Sequence, residues 1–153
     1  VQLYSVPGKV ALYLETGKAE KDFGADDGDT IGVRIAAGDS RSCLHYVPGC
    51  AAVTAALKRQ IESADFLFFD GTVFRDDEMR AAGVGEKTGQ RMGHLAIDGP
   101  DGSMAALADV SLGRRCYIHI NNTNPILDRR SPERAQVELA GWMVAIDGME
   151  FDL

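Results

Sequence analysis

The chain opens with side chains that alternate between apolar and polar. "VQLYSV" (1–6) and "VALYLE" (10–15) alternate on either side of a Pro7-Gly8 turn signal, and "IGVRIAAG" (31–38) and "SCLHYV" (42–47) do the same around Gly38-Asp39-Ser40. A period of two is that of a half-buried strand, so the first fifty residues are expected to be antiparallel β. Between them "TGKAEKDFGADDGDT" (16–30) has no period and reads as a solvated loop. From Ala51 the period lengthens: Val53, Ala56, Leu57, Gln60 and Ile61 fall at helical spacing, and "ADFLFFDGT" (64–72) follows as a continuous apolar strand ending in an acid, a glycine and a hydroxyl. The same order returns at "SPERAQVELAG" (131–141), with Ser131 as N-cap and Pro132 at the first helical position, before "WMVAIDGMEFDL" (142–153) runs on as strand.

Hairpins followed by alternating helices and strands predict an α+β or α/β layered domain with a mixed sheet. The longest loop-like stretch, residues 75–104, holds Gly83, Gly85, Gly89, Gly93, Gly99 and Gly102. Loops of that length inside a compact domain are more often functional than idle. The abrupt start in β-type alternation reads as a sheet whose earlier strands lie outside the sequence, that is, as a fragment.

Composition narrows the function. At 153 residues, 45% hydrophobic and 25% charged, the sequence has the make-up of one soluble globular domain. No apolar run approaches the ~18 to 20 residues that cross a bilayer, and "VQLYSVPGKV" lacks the features of a signal peptide, so no membrane span and a cytoplasmic location are expected. A formal charge of −7 argues against a nucleic-acid partner, which calls for clustered Lys and Arg. Cys43, Cys50 and Cys116 are odd in number and in no CxxC spacing, which fits reduced, buried thiols.

Three groups stand where elements end: Asp70 closes "DFLFFD", His119 lies near the end of "CYIHI", and His94 follows Met92-Gly93 in the glycine-rich loop. Strands ending in Asp70, in Gly49-Cys50 and in His119 would bring those groups to one sheet edge, where open α/β sheets bind ligands. The plainer alternatives are a hydrogen-bonded core histidine at 119, an Asx turn at Asp70, and asparagines 121, 122 and 124 that only satisfy loop backbone. His45 reads as core. "GEKTG" (85–89) lacks the P-loop pattern, and neither GxGxxG nor GxSxG occurs.

Taken together, "VPGKVALYLE", "YVPGCAAVT", "LFFDGTVFRDDEMRAAGVGEKTGQRMGH", "IHINNTNPIL" and "AGWMVAIDGMEF" resemble the C-terminal half of the pyrroloquinoline quinone biosynthesis protein B family, a branch of the metallo-β-lactamase-like fold. The resemblance implies that residues 1–153 are one incomplete domain, the C-terminal part of an αββα sandwich whose N-terminal half supplies a histidine- and aspartate-rich metal motif. It makes His119 a metal ligand for one Fe(II) or Zn(II) ion, the other ligands coming from that missing half. It makes His94 a proton carrier or outer partner with Asp70 beside it, and Asn122 and Asn124 groups that orient the site or the substrate. Cys50 stands where many relatives have a bridging aspartate, which disfavours a two-metal hydrolytic site.

The activity implied is hydroxylation by an iron-dependent oxygenase of a crosslinked glutamate-tyrosine precursor of pyrroloquinoline quinone. Lys87, Arg91 and Arg75 are candidates to bind that acidic substrate. The rival is a carrier that transports the cofactor or its precursor for release to the periplasm, and a nuclease-type metal hydrolase ranks third. An unpartnered apolar sheet face also predicts a homo-oligomer for the isolated chain.

Overall fold

The computed structural model describes residues 1–10, 29–36, 38 and 42–152. All but Val10 of the expected strand at 10–15 and nearly all of the loop at 16–30 lie outside those residues, as do Asp39 and Ser40. Six strands form one sheet in sequence order: β1 (Gln2–Ser5), β2 (Ile31–Ala36), β3 (Cys43–Val47), β4 (Phe66–Asp70), β5 (Arg114–Ile118) and β6 (Trp142–Val144). The first two pairings are antiparallel and the last three parallel, so the sheet is mixed as its hairpin-then-alternation pattern predicts.

Both faces of the sheet are apolar. Across one face Val47, Phe69, Tyr117 and Val144 stand in register and pack with Leu57, Ile61, Ile97, Leu107, Ile126 and Val137. Across the other runs a row of Leu3, Val33, Tyr46, Phe68, Cys116 and Met143. There Phe151 covers Phe66 and Phe68 with ring centroids at 4.5 and 5.3 Å, whereas Leu3 stays 61% exposed and Tyr46 42%. Near-continuous apolar strands such as "FLFF" are those of a sheet meant to be covered on both sides.

The parallel strands need crossovers, and of the caps that start their helices Ser131 is the one the sequence predicts. Helix α1 (Ala55–Ile61) begins at Thr54, whose hydroxyl accepts the Leu57 amide at 3.2 Å, and it buries Leu57 and Ile61. Three one-turn helices, α2 (Glu78–Ala81), α3 (Gly89–Met92) and α4 (Ser103–Ala106), interrupt the stretch expected to be loop. Helix α5 (Pro132–Leu139) starts where Ser131 accepts the Arg134 amide at 3.0 Å. Strand β6 is shorter than expected, because Gly148 takes a φ of 78° and Met149 bonds back to the Ile146 carbonyl, which turns the chain off the sheet. Among the described residues no helix is long and apolar enough to cross a membrane.

Candidate metal centre

Strand β4 delivers Asp70 to the sheet edge, and the next two residues decide what surrounds it. Gly71 donates its amide to the Ile118 carbonyl at 2.8 Å, and a Cβ at this position would stand 2.8 Å from Cβ of Tyr117. Only glycine lets the chain leave β4 this close to β5. Thr72 follows, its carbonyl held by the Asn121 amide at 3.0 Å and its side chain turned back onto Asp70.

His94 arrives from helix α3, which Thr88 caps by accepting the Arg91 amide at 3.1 Å and Gly93 ends at a φ of 91°. His119 sits one residue past β5 at a φ of 53°, a left-handed conformation uncommon for a side-chain-bearing residue and found disproportionately at functional sites. The two rings stack with centroids 5.2 Å apart. They differ in access, the His94 side chain being 18% exposed and that of His119 55%.

Asp70 is fully buried and its carboxylate is saturated. Oδ1 accepts the Thr72 amide at 3.1 Å and the Thr72 hydroxyl at 2.6 Å, while Oδ2 accepts the Cys50 amide at 2.9 Å and faces His94 Nδ1 at 2.8 Å. A carboxylate has about four lone-pair positions, and these donors occupy them all. The Asx turn expected for Asp70 is therefore present, but it accounts for only one of its two oxygens.

Asp70, His94 and His119 each offer a ligand atom within 4.8 Å of the others, a set of two imidazoles and a carboxylate that suits zinc or ferrous iron. With its lone pairs already taken, Asp70 is better placed to hold a histidine than to ligate. His94 donates its Nδ1 proton to Asp70, which leaves the Nε2 lone pair as its working atom. Both rings line an open cavity of about 380 Å³ with Thr72, Met79, Met92, Ile120 and Asn121.

Other expected site residues fall differently. Asn124 is buried, donates to the Gly71 carbonyl at 2.8 Å and accepts the Ile126 amide at 3.1 Å, so its amide braces the backbone beneath the site. Asn122 is exposed, with its own amide bonded to Asn121 Oδ1. Exposed Lys87, exposed Arg75 and half-buried Arg91 are not among the residues that line the cavity. Cys50 belongs to the core: its thiol donates to the Ala52 carbonyl, and burial together with the Asp70 charge pushes it up to about 12. It reaches the site through its backbone amide. His45 is buried, as its pattern predicts, with Nδ1 2.9 Å from the Tyr4 hydroxyl.

Two residues went unread in the sequence. Thr72 was visible only as the hydroxyl two places after Asp70. Glu78, buried in α2, accepts the Phe74 amide at 2.7 Å and the Thr123 hydroxyl at 2.6 Å, tying the loop after β4 to the one after β5.

A mixed sheet that presents a carboxylate and an imidazole at the ends of two parallel strands, with a second imidazole from the loop between them, fits the metallo-β-lactamase fold. Residues 9–120 match the β-lactamase superfamily domain family, and the chain belongs to that family. Within it, the chain is similar to coenzyme PQQ synthesis protein B of Xanthomonas euvesicatoria pv. vesicatoria, 51% identical over 150 residues, covering 98% of this chain and 49% of the relative. It is likewise similar to the protein of that name from Methylorubrum populi, 58% identical over 153 residues, covering 100% and 50%.

The crystal structure of Zn(2+)-bound PqqB from Methylobacterium extorquens matches with a TM-score of 0.92 at 55% identity, over 99% of this chain and 50% of that one. The metallo-β-lactamase fold protein YhfI from Bacillus subtilis shares the fold at a TM-score of 0.54 and 13% identity, over 78% of this chain and 42% of its own. The chain thus spans about half the length of the curated relatives it matches.

Proposed function

We propose that this chain is the C-terminal half of a coenzyme PQQ synthesis protein that hydroxylates the tyrosine-derived precursor of the cofactor in a metal-dependent reaction. The observation that carries the reading is the convergence of His119 and the Asp70-backed His94 on one cavity, in a chain 51% and 58% identical to proteins named for that synthesis. His119, the more accessible ring, is the metal ligand this half provides, and the remaining ligands come from the rest of the protein. The donor set takes zinc, as named for the Methylobacterium structure, and equally ferrous iron. When bound, iron would supply the one-electron chemistry of hydroxylation with O₂, one oxygen atom entering the substrate and the other leaving as water with two electrons from an added reductant.

The chain's own residues do the remainder. Asp70 fixes the His94 ring so that Nε2 can accept a proton from a substrate hydroxyl and return it. Met79, Met92 and Ile120 give the cavity an apolar wall against which the ring of a tyrosine-derived substrate can pack. Cys50, protonated and turned to Ala52, leaves no bridging carboxylate, which favours one metal over a two-metal hydrolytic pair.

The test uses the full-length protein, with metal analysis and anaerobic substrate addition followed by O₂. His119→Ala is expected to lose the metal and turnover together. His94→Ala is expected to keep the metal and lose about 10²- to 10⁴-fold in single-turnover rate. Full metal content and turnover in His119→Ala would overturn the assignment, and tight binding of the precursor without oxygen uptake in the wild type would make the protein a carrier.

A further inference from the structure

The hydroxyl of Thr72 sits at the centre of the cluster and has one proton for four neighbours. Oγ1 lies 2.6 Å from Asp70 Oδ1, 2.8 Å from His119 Nδ1, 3.0 Å from His94 Nδ1 and 3.1 Å from the His119 carbonyl. The contact to the carboxylate is the shortest and is assisted by charge, so the proton goes there. The oxygen then has only lone pairs left, and any nitrogen at hydrogen-bonding distance must bring its own proton. His94 Nδ1 already carries one for Asp70 Oδ2. His119 Nδ1 must therefore be protonated as well.

We infer that Thr72 is a positioning residue that fixes the tautomer of His119, holding its proton on Nδ1 so that the Nε2 lone pair is free for a ligand. The chain of donors runs from His119 Nδ1–H to the Thr72 oxygen and from the Thr72 hydroxyl to Asp70. The carboxylate cannot stand in for it: Asp70 Oδ1 is 4.0 Å from His119 Nδ1, beyond a hydrogen bond. The same hydroxyl anchors the His119 ring at a residue whose backbone is already in the left-handed region. Thus one buried carboxylate sets both rings, His94 directly and His119 through a hydroxyl. This inference rests on His119 being the ligand that the proposed function assigns.

The direct test is ¹⁵N NMR of the imidazole nitrogens in metal-free full-length protein, at a pH where both rings are neutral. The wild type should show His119 as the Nδ1–H tautomer. In Thr72→Val it should shift toward the Nε2–H form that a free imidazole favours, and Thr72→Ser should restore it. Zinc titration should show about 10- to 100-fold weaker binding in Thr72→Val and near-wild-type binding in Thr72→Ser. An Nε2–H signal for His119 in the wild type overturns the inference without any variant, even where Thr72→Val fails to fold. A tautomer that does not change in Thr72→Val overturns it too. A correct tautomer in wild-type protein whose His119→Ala variant still binds zinc fully would instead sink the ligand assignment and leave the relay standing.

Discussion

Nδ1 of His94 lies 2.8 Å from Oδ2 of Asp70, a carboxylate with no exposed surface whose remaining lone pairs face backbone amides and a hydroxyl. Asp70→Asn replaces one acceptor oxygen by a donor against neighbours that are all donors. At least one buried amide is then left unsatisfied, and stability should fall by about 1–3 kcal/mol. Urea melts of the two proteins measure the difference, and His94 should show a mixed tautomer in the variant. An Asp70→Asn protein as stable as wild type, with His94 unchanged, would mean that the carboxylate is not what holds the ring.

A separate titration belongs to His45, buried beside the half-buried Tyr4 of β1. Burial, with Arg34 nearby, pushes the His45 imidazole from 6.5 down to about 4, and the Tyr4 hydroxyl lies 2.9 Å from its Nδ1. Between those values the unfolded chain carries a proton that the folded chain refuses. Titration of His45 therefore leaves stability unchanged above pH 6.5 and lowers it progressively as the pH falls from 6.5 toward 4, below which the folded ring is protonated too and the loss levels off. His45→Gln keeps an acceptor for Tyr4 but does not titrate. Its plot of unfolding free energy against pH should be flatter over that interval by up to about 1.4 kcal/mol per pH unit. Parallel curves for the two proteins would return His45 to an ordinary solvated pKa.

Cys50 offers a contrast between side chain and backbone. Its thiol is buried and held protonated, so iodoacetamide should leave it unmodified at neutral pH in the folded protein and label it on unfolding. Cys50→Ala removes the bond to Ala52 but keeps the amide that binds Asp70. Metal content should stay at the wild-type level, with a modest fall in melting temperature. A large loss of bound metal in Cys50→Ala would place the thiol at the centre after all.

The strands and the cap at Ser131 could be read because they are written locally. Alternation marks β1 to β3, the apolar run marks β4, and Ser131, just ahead of Pro132, starts a helix with its own hydroxyl. Asp70, His94 and His119 were legible as polar groups at element ends; the parallel pairing of β4 with β5 brings Asp70 beside His119, and the loop after α3 adds His94.

The roles of their neighbours were not legible, because those roles are set by where the backbone turns. "NNTN" reads as a pocket lining, yet the chain leaves β5 through a left-handed His119, which sends Asn124 inward under Gly71 and Asn122 outward to solvent. Cys50 drew notice for its sulfur, whereas its contribution is an N–H that almost any residue would supply. Thr72 matters through partners 22 and 47 residues away, a separation that no local pattern encodes.

The place of β4 in the sheet gives the centre an uneven clock. β4 is hydrogen-bonded to parallel neighbours on both sides, and Leu67 and Phe69 have no exposed surface, so its amides can meet solvent deuterium only when the sheet itself opens. His119 stands beyond the last ladder pair of β5, half in solvent. Among the described residues the carboxylate thus sits on a strand that opens only with the sheet, and the accessible imidazole on a turn that can open without it. The charge that orients the centre therefore stays in place through local openings that part His119 from Thr72.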